Sequence, residues 1–232
     1  MTYPYARMFA LEETLWWYRG LRHYIRRAFT AMAIPPGALT LDAGCGTGGN
    51  LARMPGAVGL DFGLEALRCC RRRRGLTRLV CGDVNALPFR AGVFAAVLAC
   101  DLFESREVDE RLAVDELARV TVSGGALVVT VPAHDFLLSA HDQTFHTVRR
   151  FTLASCRRIF NRYGWEITST RYLFGAFFPV LCVWRWIARR DDLRALPRWL
   201  NGLLYAVVRV ESRWTWPWGS TILVECFETR KT

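Results

Sequence analysis

The sequence predicts an α/β fold, a largely parallel sheet with helices on both faces. Three observations predict it. Short apolar runs alternate with amphipathic stretches over residues 38–132, the pattern of parallel strands joined by crossover helices. Four of those runs end on or just before an aspartate: Asp42, Asp61, Asp83 and Asp101. A glycine cluster, LDAGCGTGGN, follows the first run, where open α/β sheets bind ligands beyond the carboxyl ends of their strands.

The elements follow in order. Residues 11–32 read as one helix, with Leu15, Trp16, Leu21, Tyr24, Ile25 and Ala28 at helical spacing. Pro35, Pro36 and Gly37 end the segment. Residues 38–41 form a first strand, and a helix is expected to open near Gly48. Residues 57–60 form a second strand, and residues 63–73 a helix whose arginines, Arg71 to Arg74, read as a solvated end. Residues 77–81 and 94–100 are the third and fourth strands, and 108–120 an amphipathic helix. Gly124 and Gly125 turn into a fifth strand, ALVVTV, closed by Pro132. The second half departs from alternation. Residues 152–163 read as a helix and 165–170 as a strand. Two apolar, arginine-studded segments follow, 172–188 and 199–210, and then a terminal strand, TILVECFETR.

The chain has 232 residues, 52% of them hydrophobic, enough for one domain with a sizeable insertion. Its formal net charge is +10, and Lys231 is its only lysine. A basic balance suits nucleic acid, an anionic membrane or an acidic substrate, although arginine without lysine equally suits GC-rich coding. The eight cysteines form no C-x-x-C pair, so neither zinc spacing nor a disulfide framework is expected. No secretory signal opens the chain, and a cytoplasmic location fits reduced cysteines. The longest charge-free apolar run, YLFGAFFPVLCVW, contains Pro179 and is too short for a membrane-spanning helix.

The glycine loop fits two patterns. Gly44, Gly46 and Gly49 match the dinucleotide fingerprint G-x-G-x-x-G. Asp42, Gly44, Gly46 and Gly48 match D-x-G-x-G-x-G. A pyrophosphate would meet the carboxylate of Asp42, whereas S-adenosylmethionine (SAM), with a sulfonium and an ammonium, is favoured by it. Asp61 is placed to grip ribose hydroxyls under either reading, and Asp83 to accept from an adenine amino group.

Here the sequence resembles the class I SAM-dependent methyltransferases, through LDAGCGTGGN, VGLD, CGDVNALPF, CDLFES and ELARVTVSGGALVVTVP. The chain differs from many relatives in having Ser123 for a proline, Ala95 and Ala96 where an acid is common, and Ser105 for a histidine. The resemblance implies a three-layer, Rossmann-like sheet of seven strands with the last antiparallel. It places Asp42, Gly44, Cys45 and Gly46 around the methionine end of SAM, Asp61 and Phe62 at the ribose, Asp83 and Val84 at the adenine, and Asp101 beside the methyl-transfer site. It implies S-adenosyl-L-homocysteine as the product. The segments WWYRGLR, HDQTFHTVRRFT and PWGS are similar to those of a bacterial subgroup of these enzymes.

The region after the fifth strand holds His134, His141 and His146, with Asp135, Asp142, Arg149 and Arg150. Histidine suits general-base work near neutral pH. The expected trio is His141 or His146 as base, oriented by Asp142, with Arg149 or Arg150 binding an anionic group or capping the segment. A purely structural role for these side chains is equally compatible with the sequence. Arg19 or Arg22 is a candidate for the SAM carboxylate, and Trp16 reads as core. The chain divides into an N-terminal cap, 1–37, a core, 38–171, an apolar insertion, 172–218, and a closing strand, 219–232. The insertion reads as a lid over an apolar acceptor pocket, as an interfacial helix pair on a membrane, or as a dimer surface or added core. The expected acceptor is small or lipid-like and methylated on oxygen; nucleic acid is not expected. The rivals are a non-catalytic SAM-binding or membrane-associated accessory protein and an NAD(P)-dependent oxidoreductase.

Overall fold

The computed structural model describes residues 5–35, 37–138, 142, 146–162, 164–188 and 196–229. Its seven strands are β1 (Thr40–Ala43), β2 (Val58–Asp61), β3 (Leu79–Cys81), β4 (Phe94–Cys100), β5 (Thr121–Pro132), β6 (Trp165–Leu173) and β7 (Thr221–Glu228). They form one sheet in the order β3-β2-β1-β4-β5-β7-β6. Every pairing from β3 to β5 is parallel, and β7 runs antiparallel between β5 and β6. The order reverses between β1 and β4, which opens a crevice beyond their carboxyl ends.

The helices are α1 (Tyr5–Glu12), α2 (Trp16–Ala31), α3 (Leu64–Arg74), α4 (Glu110–Val120), α5 (Leu153–Arg162), α6 (Phe178–Ala188) and α7 (Arg198–Glu211). One sheet face packs on α4 and α5 around Leu117, Phe103 and Phe160. The other packs on α2 and α7, where Leu21, Ile25 and Ala28 meet Val208 and the strand residues Leu98 and Val128. Asp109 caps α4, accepting from the Arg111 and Leu112 amides at 2.9 and 3.1 Å.

Three expectations are corrected. The single helix over residues 11–32 is two helices, broken at Glu13 to Leu15, where Leu15 turns extended and buries its side chain. The break lets α1 cross over the glycine loop while α2 lies against the sheet. No α-helix opens at Gly48: only a three-residue 3-10 turn, Leu51–Arg53, follows the loop. Pro55 biases Met54 away from helical dihedrals, and Met54 sits at φ −115°, ψ 83°. Arg74 is no solvated helix end. Its side chain is only 9% exposed and pairs with Glu12 and Glu13, while Arg71, Arg72 and Arg73 are exposed as expected.

Helix α7 contributes core on its inner side. The Asn201 side chain of α7 accepts from the Trp16 amide at 2.8 Å. The buried Glu211 carboxylate accepts from Tyr24 Oη at 2.9 Å and the Ala176 amide at 2.8 Å.

Candidate functional site

The carboxyl rim of β1 to β4 collects the four aspartates. Asp42, one residue before the end of β1, pairs in register with Gly59 and Leu98 and is 1% exposed. Neither of its carboxylate oxygens has a well-formed hydrogen bond, the Leu51 amide being a distant donor. Burial, then the charges of Asp61 and Glu12, push its carboxyl up to about 7, against a weak opposing pull from the Leu51 amide. Such a group is costly for a fold to keep, and it lies next to the loop that approaches the crevice.

That loop uses its glycines as the D-x-G-x-G-x-G pattern requires. Gly44, Gly46 and Gly48 have φ of +73°, +53° and +81°, the left-handed region that side chains resist. Gly49 has no positive φ; a Cβ there would meet the Glu12 carboxylate at 2.8–3.0 Å. Asp61 is fixed by the loop itself, its Oδ2 accepting from the Gly46 amide and its Oδ1 from the Gly63 amide, both at 2.8 Å. Burial raises its carboxyl, and these two amides offset part of the rise. Cys45 is buried, and the neighbouring Cys70 thiol donates to the Gly46 carbonyl at 3.2 Å. Phe62 is exposed and Val84 buried. Asp83 is exposed, with Oδ1 accepting from the Asn85 amide at 2.9 Å.

Helix α1 roofs the loop, and the sequence reading missed it. Tyr5 Oη lies 2.2 Å from where a Cβ on Gly63 would stand, and Met8 Cε lies 3.2 Å from one on Gly46. An ionic latch holds the roof. Arg74 donates to Glu12, to Glu13 at 2.6 Å and to the Thr47 carbonyl at 2.7 Å. Arg53 donates to Glu13 at 2.6 Å and to the Gly49 carbonyl at 2.8 Å. Arg22 donates to the Glu12 carbonyl, closing the end of α1. Arg19 instead turns its guanidinium over the Tyr205 ring at 4.2 Å. Trp16 packs on Phe174 and Phe177, the core role expected of it.

Beyond β4 and β5 lies a second charged group, gathered around Arg150. Asp101 holds φ +49°, a strained conformation for a residue with a side chain. It accepts from Thr130 Oγ1 at 3.2 Å. The residue is partly accessible, yet desolvation of its carboxyl, opposed by Thr130 and Arg150, holds it at about 7. Glu104 is buried with Oε2 unpartnered. Burial and the Asp101 charge push it well above the carboxylate range. Arg150 donates twice to Asp142 Oδ1 and to the Ala133 carbonyl at 3.0 Å.

Of the expected catalytic trio, Asp142 is therefore found paired with Arg150. His146, at φ +56°, faces Glu107 with its Nδ1 at 3.6 Å. His141 lies outside the described residues. Arg149 bonds Glu110 at 3.0 Å and the Ser105 and Val108 carbonyls at 3.2 Å, a structural tie to α4. His134 stacks on Tyr172 at 5.1 Å and touches Phe178, with its buried Nε2 unpartnered; burial and Arg150 lower its imidazole pKa, opposed by the Gly219 backbone and Asp135. Glu104 lies inside DLFES, a segment that carried the resemblance, but it was given no role of its own.

Chemically, this crevice suits a ligand carrying positive charge and hydrogen-bond donors. The loop is followed by a three-residue 3-10 turn and not by an α-helix whose N-terminus would favour an anion.

The comparisons agree with this geometry. Residues 41–129 match a family described as a methyltransferase domain. The demethylmenaquinone methyltransferase of Renibacterium salmoninarum is 37% identical over 118 residues, covering 49% of this chain and 49% of that protein. A human protein described as a probable tRNA methyltransferase 9B is 37% identical over 100 residues, covering 41% of this chain and 22% of its own length. The chain thus spans about half, or less, of the length of these two curated relatives. In the Haloferax volcanii complex between the Trm112 methyltransferase activator and its methyltransferase partner, a chain superposes with TM-score 0.67 at 19% identity, covering 98% of this chain and 95% of that one. The fold is shared with that methyltransferase, and residues 41–129 match the methyltransferase-domain family on it.

Proposed function

We propose that this chain is a SAM-dependent methyltransferase acting on a small or lipid-like acceptor, with oxygen as the atom methylated. The observation that carries the reading is Asp42, a buried carboxylate with two unpartnered oxygens at the sheet's switch point. It fits the ammonium or sulfonium of SAM and opposes a pyrophosphate. Bound there, SAM supplies an electrophilic methyl group. Asp42, Gly44, Cys45 and Gly46 would hold its methionine end, Asp61 and Phe62 its ribose, Asp83 and Val84 its adenine. Asp101 would border the acceptor.

Asp61 is oriented in advance by two backbone amides, so its oxygens need no reorganisation on binding. The α1 roof excludes water from the loop. For the acceptor's proton we assign Asp101, whose carboxyl is tuned near neutrality by burial. His141 or His146 with Asp142 is the alternative base. It is dismissed if His141→Ala and His146→Ala both keep full turnover. Tyr172 and Phe178 supply an apolar wall of the acceptor site in this reading, both packing on His134 just past β5.

The test is calorimetric titration with SAM, S-adenosylhomocysteine, NAD and NADP. Binding of the first two, lost in Asp61→Ala, is expected. Binding of NAD or NADP instead overturns the reading. Transfer of labelled methyl to a lipid extract or to bulk tRNA then separates the acceptor classes. The demethylmenaquinone methyltransferase relative favours the first of these and the tRNA methyltransferase relatives the second. SAM binding with no transfer to any acceptor would favour the non-catalytic rival.

A further inference from the structure

Helix α7 is exposed along a face that a water-facing helix would fill with polar residues. Trp199, Leu203, Val207 and Val210 follow one another at helical spacing, and Trp214 continues the line just past the helix. Their exposures run from 36% to 71%. Gly202 and Ala206 complete the face. The opposite face is committed: Asn201, Val208 and Glu211 are buried against α2 and its neighbours. The outer stripe is therefore not core awaiting a better rotamer. At about 1.5 Å per residue it runs for roughly 20 Å.

Arg198, Arg209 and Arg213 are exposed along one flank of this stripe. That flank continues, through Tyr205, into a cleft of about 750 Å³ whose polar lining includes Arg19, His23, Arg26 and Arg53. Among the described residues of α7 the sole acid is Glu211, and it is buried.

We infer that this face docks on an anionic lipid bilayer, with the Trp199–Trp214 stripe in the interfacial region and the arginine flank on lipid phosphates. Charge decides among the occupants. A second copy of the chain would bring the same arginines and no exposed acid of α7 to receive them. An RNA would meet the arginines, but Leu203, Val207 and Val210 offer its backbone nothing. A bilayer with anionic headgroups satisfies both halves of the surface, and indole rings at each end of the stripe suit the headgroup boundary. No described helix is long and apolar enough to cross a membrane, so the contact is one of lying on the surface. The docking does not depend on methyl transfer. Only its corollary, that the acceptor is drawn from the bilayer, rests on that reading.

The experiment is flotation of the full chain with phosphatidylcholine vesicles, with and without phosphatidylglycerol. Strong binding only to the anionic vesicles, weakened by salt, is expected. The double variant Leu203→Glu/Val207→Glu should abolish it. Arg209→Ala/Arg213→Ala should weaken it roughly tenfold or more. Both variants should keep SAM affinity, which shows that they fold. Equal binding to both vesicle types, no binding, or wild-type binding by the Leu203→Glu/Val207→Glu variant would overturn the inference. So would a dimer in sedimentation that these substitutions dissociate, or tRNA that competes the vesicles off while binding unchanged to the double variant.

Discussion

Asp42→Asn separates what the fold needs from what the crevice needs. In the unfolded chain Asp42 titrates near 3.8, and in the fold at about 7. Between those values the folded protein keeps a proton that the unfolded chain has released. Stability from this group is therefore full below about pH 4, falls as pH rises towards 7, and is level above. The gap, at about 1.4 kcal/mol per pH step, bounds the loss at roughly 4 kcal/mol. Asparagine does not titrate, but its buried amide would still lack partners, at about 1–3 kcal/mol. Asp42→Asn should thus match or fall below the wild type at pH 4 and exceed it by roughly 1–3 kcal/mol at pH 8, while losing SAM affinity. Urea denaturation at the two pH values, with calorimetry of SAM binding, measures both. Asp101 is also raised to about 7, but it is common to both proteins and largely cancels in the difference. A stability difference that fails to widen with pH, or a variant that binds SAM as the wild type does, would refute the reasoning.

Two further substitutions probe the rest of the rim. Arg150→Leu removes the cation that Asp142 bonds and that offsets Asp101 and Glu104; a loss of about 3–5 kcal/mol in denaturant unfolding is expected for a buried pair broken on one side. Arg74→Ala unlatches α1 from Glu12, Glu13 and the Thr47 carbonyl. It should cost about 2 kcal/mol and make Arg7 in α1 an early trypsin site, with SAM binding weakened; protection of that site equal to the wild type would show that the latch is not what holds the roof.

The sheet was legible because its evidence is local. Each strand from β1 to β5 is an apolar run closed by an acid, a glycine or a proline, and the structure moves their ends by only a few residues. The glycine loop was legible for the same reason, since left-handed φ at Gly44, Gly46 and Gly48 demands glycine whatever the rest of the chain does. Helix α1 was not. YARMFALE has no stripe of its own to announce a separate helix. Its contacts are Tyr5 and Met8 over the loop and Glu12 on Arg74, all made to residues distant in sequence. Arg74 was misread for the converse reason: in RRRR nothing local distinguishes the one side chain that turns inward.

Acids elsewhere in the chain provide the contrast that makes the crevice a site. Glu116 bonds Arg119 and the Leu87 amide, Glu225 bonds Arg171, Asp109 caps α4, and even the buried Glu211 has two donors. The fold gives each of these carboxylates a donor. At the switch point it leaves both oxygens of Asp42 and one of Glu104 unpartnered, within one rim whose Asp101 is also backbone-strained. Native proteins keep few such groups, and perturbed acids gathered in a crevice are the mark of a functional site. In the proposed reading a ligand supplies the partners that the chain itself does not. Because the unmet groups are acceptors, that ligand must bring donors or positive charge, a requirement that SAM meets at its ammonium and sulfonium and a dinucleotide's pyrophosphate does not.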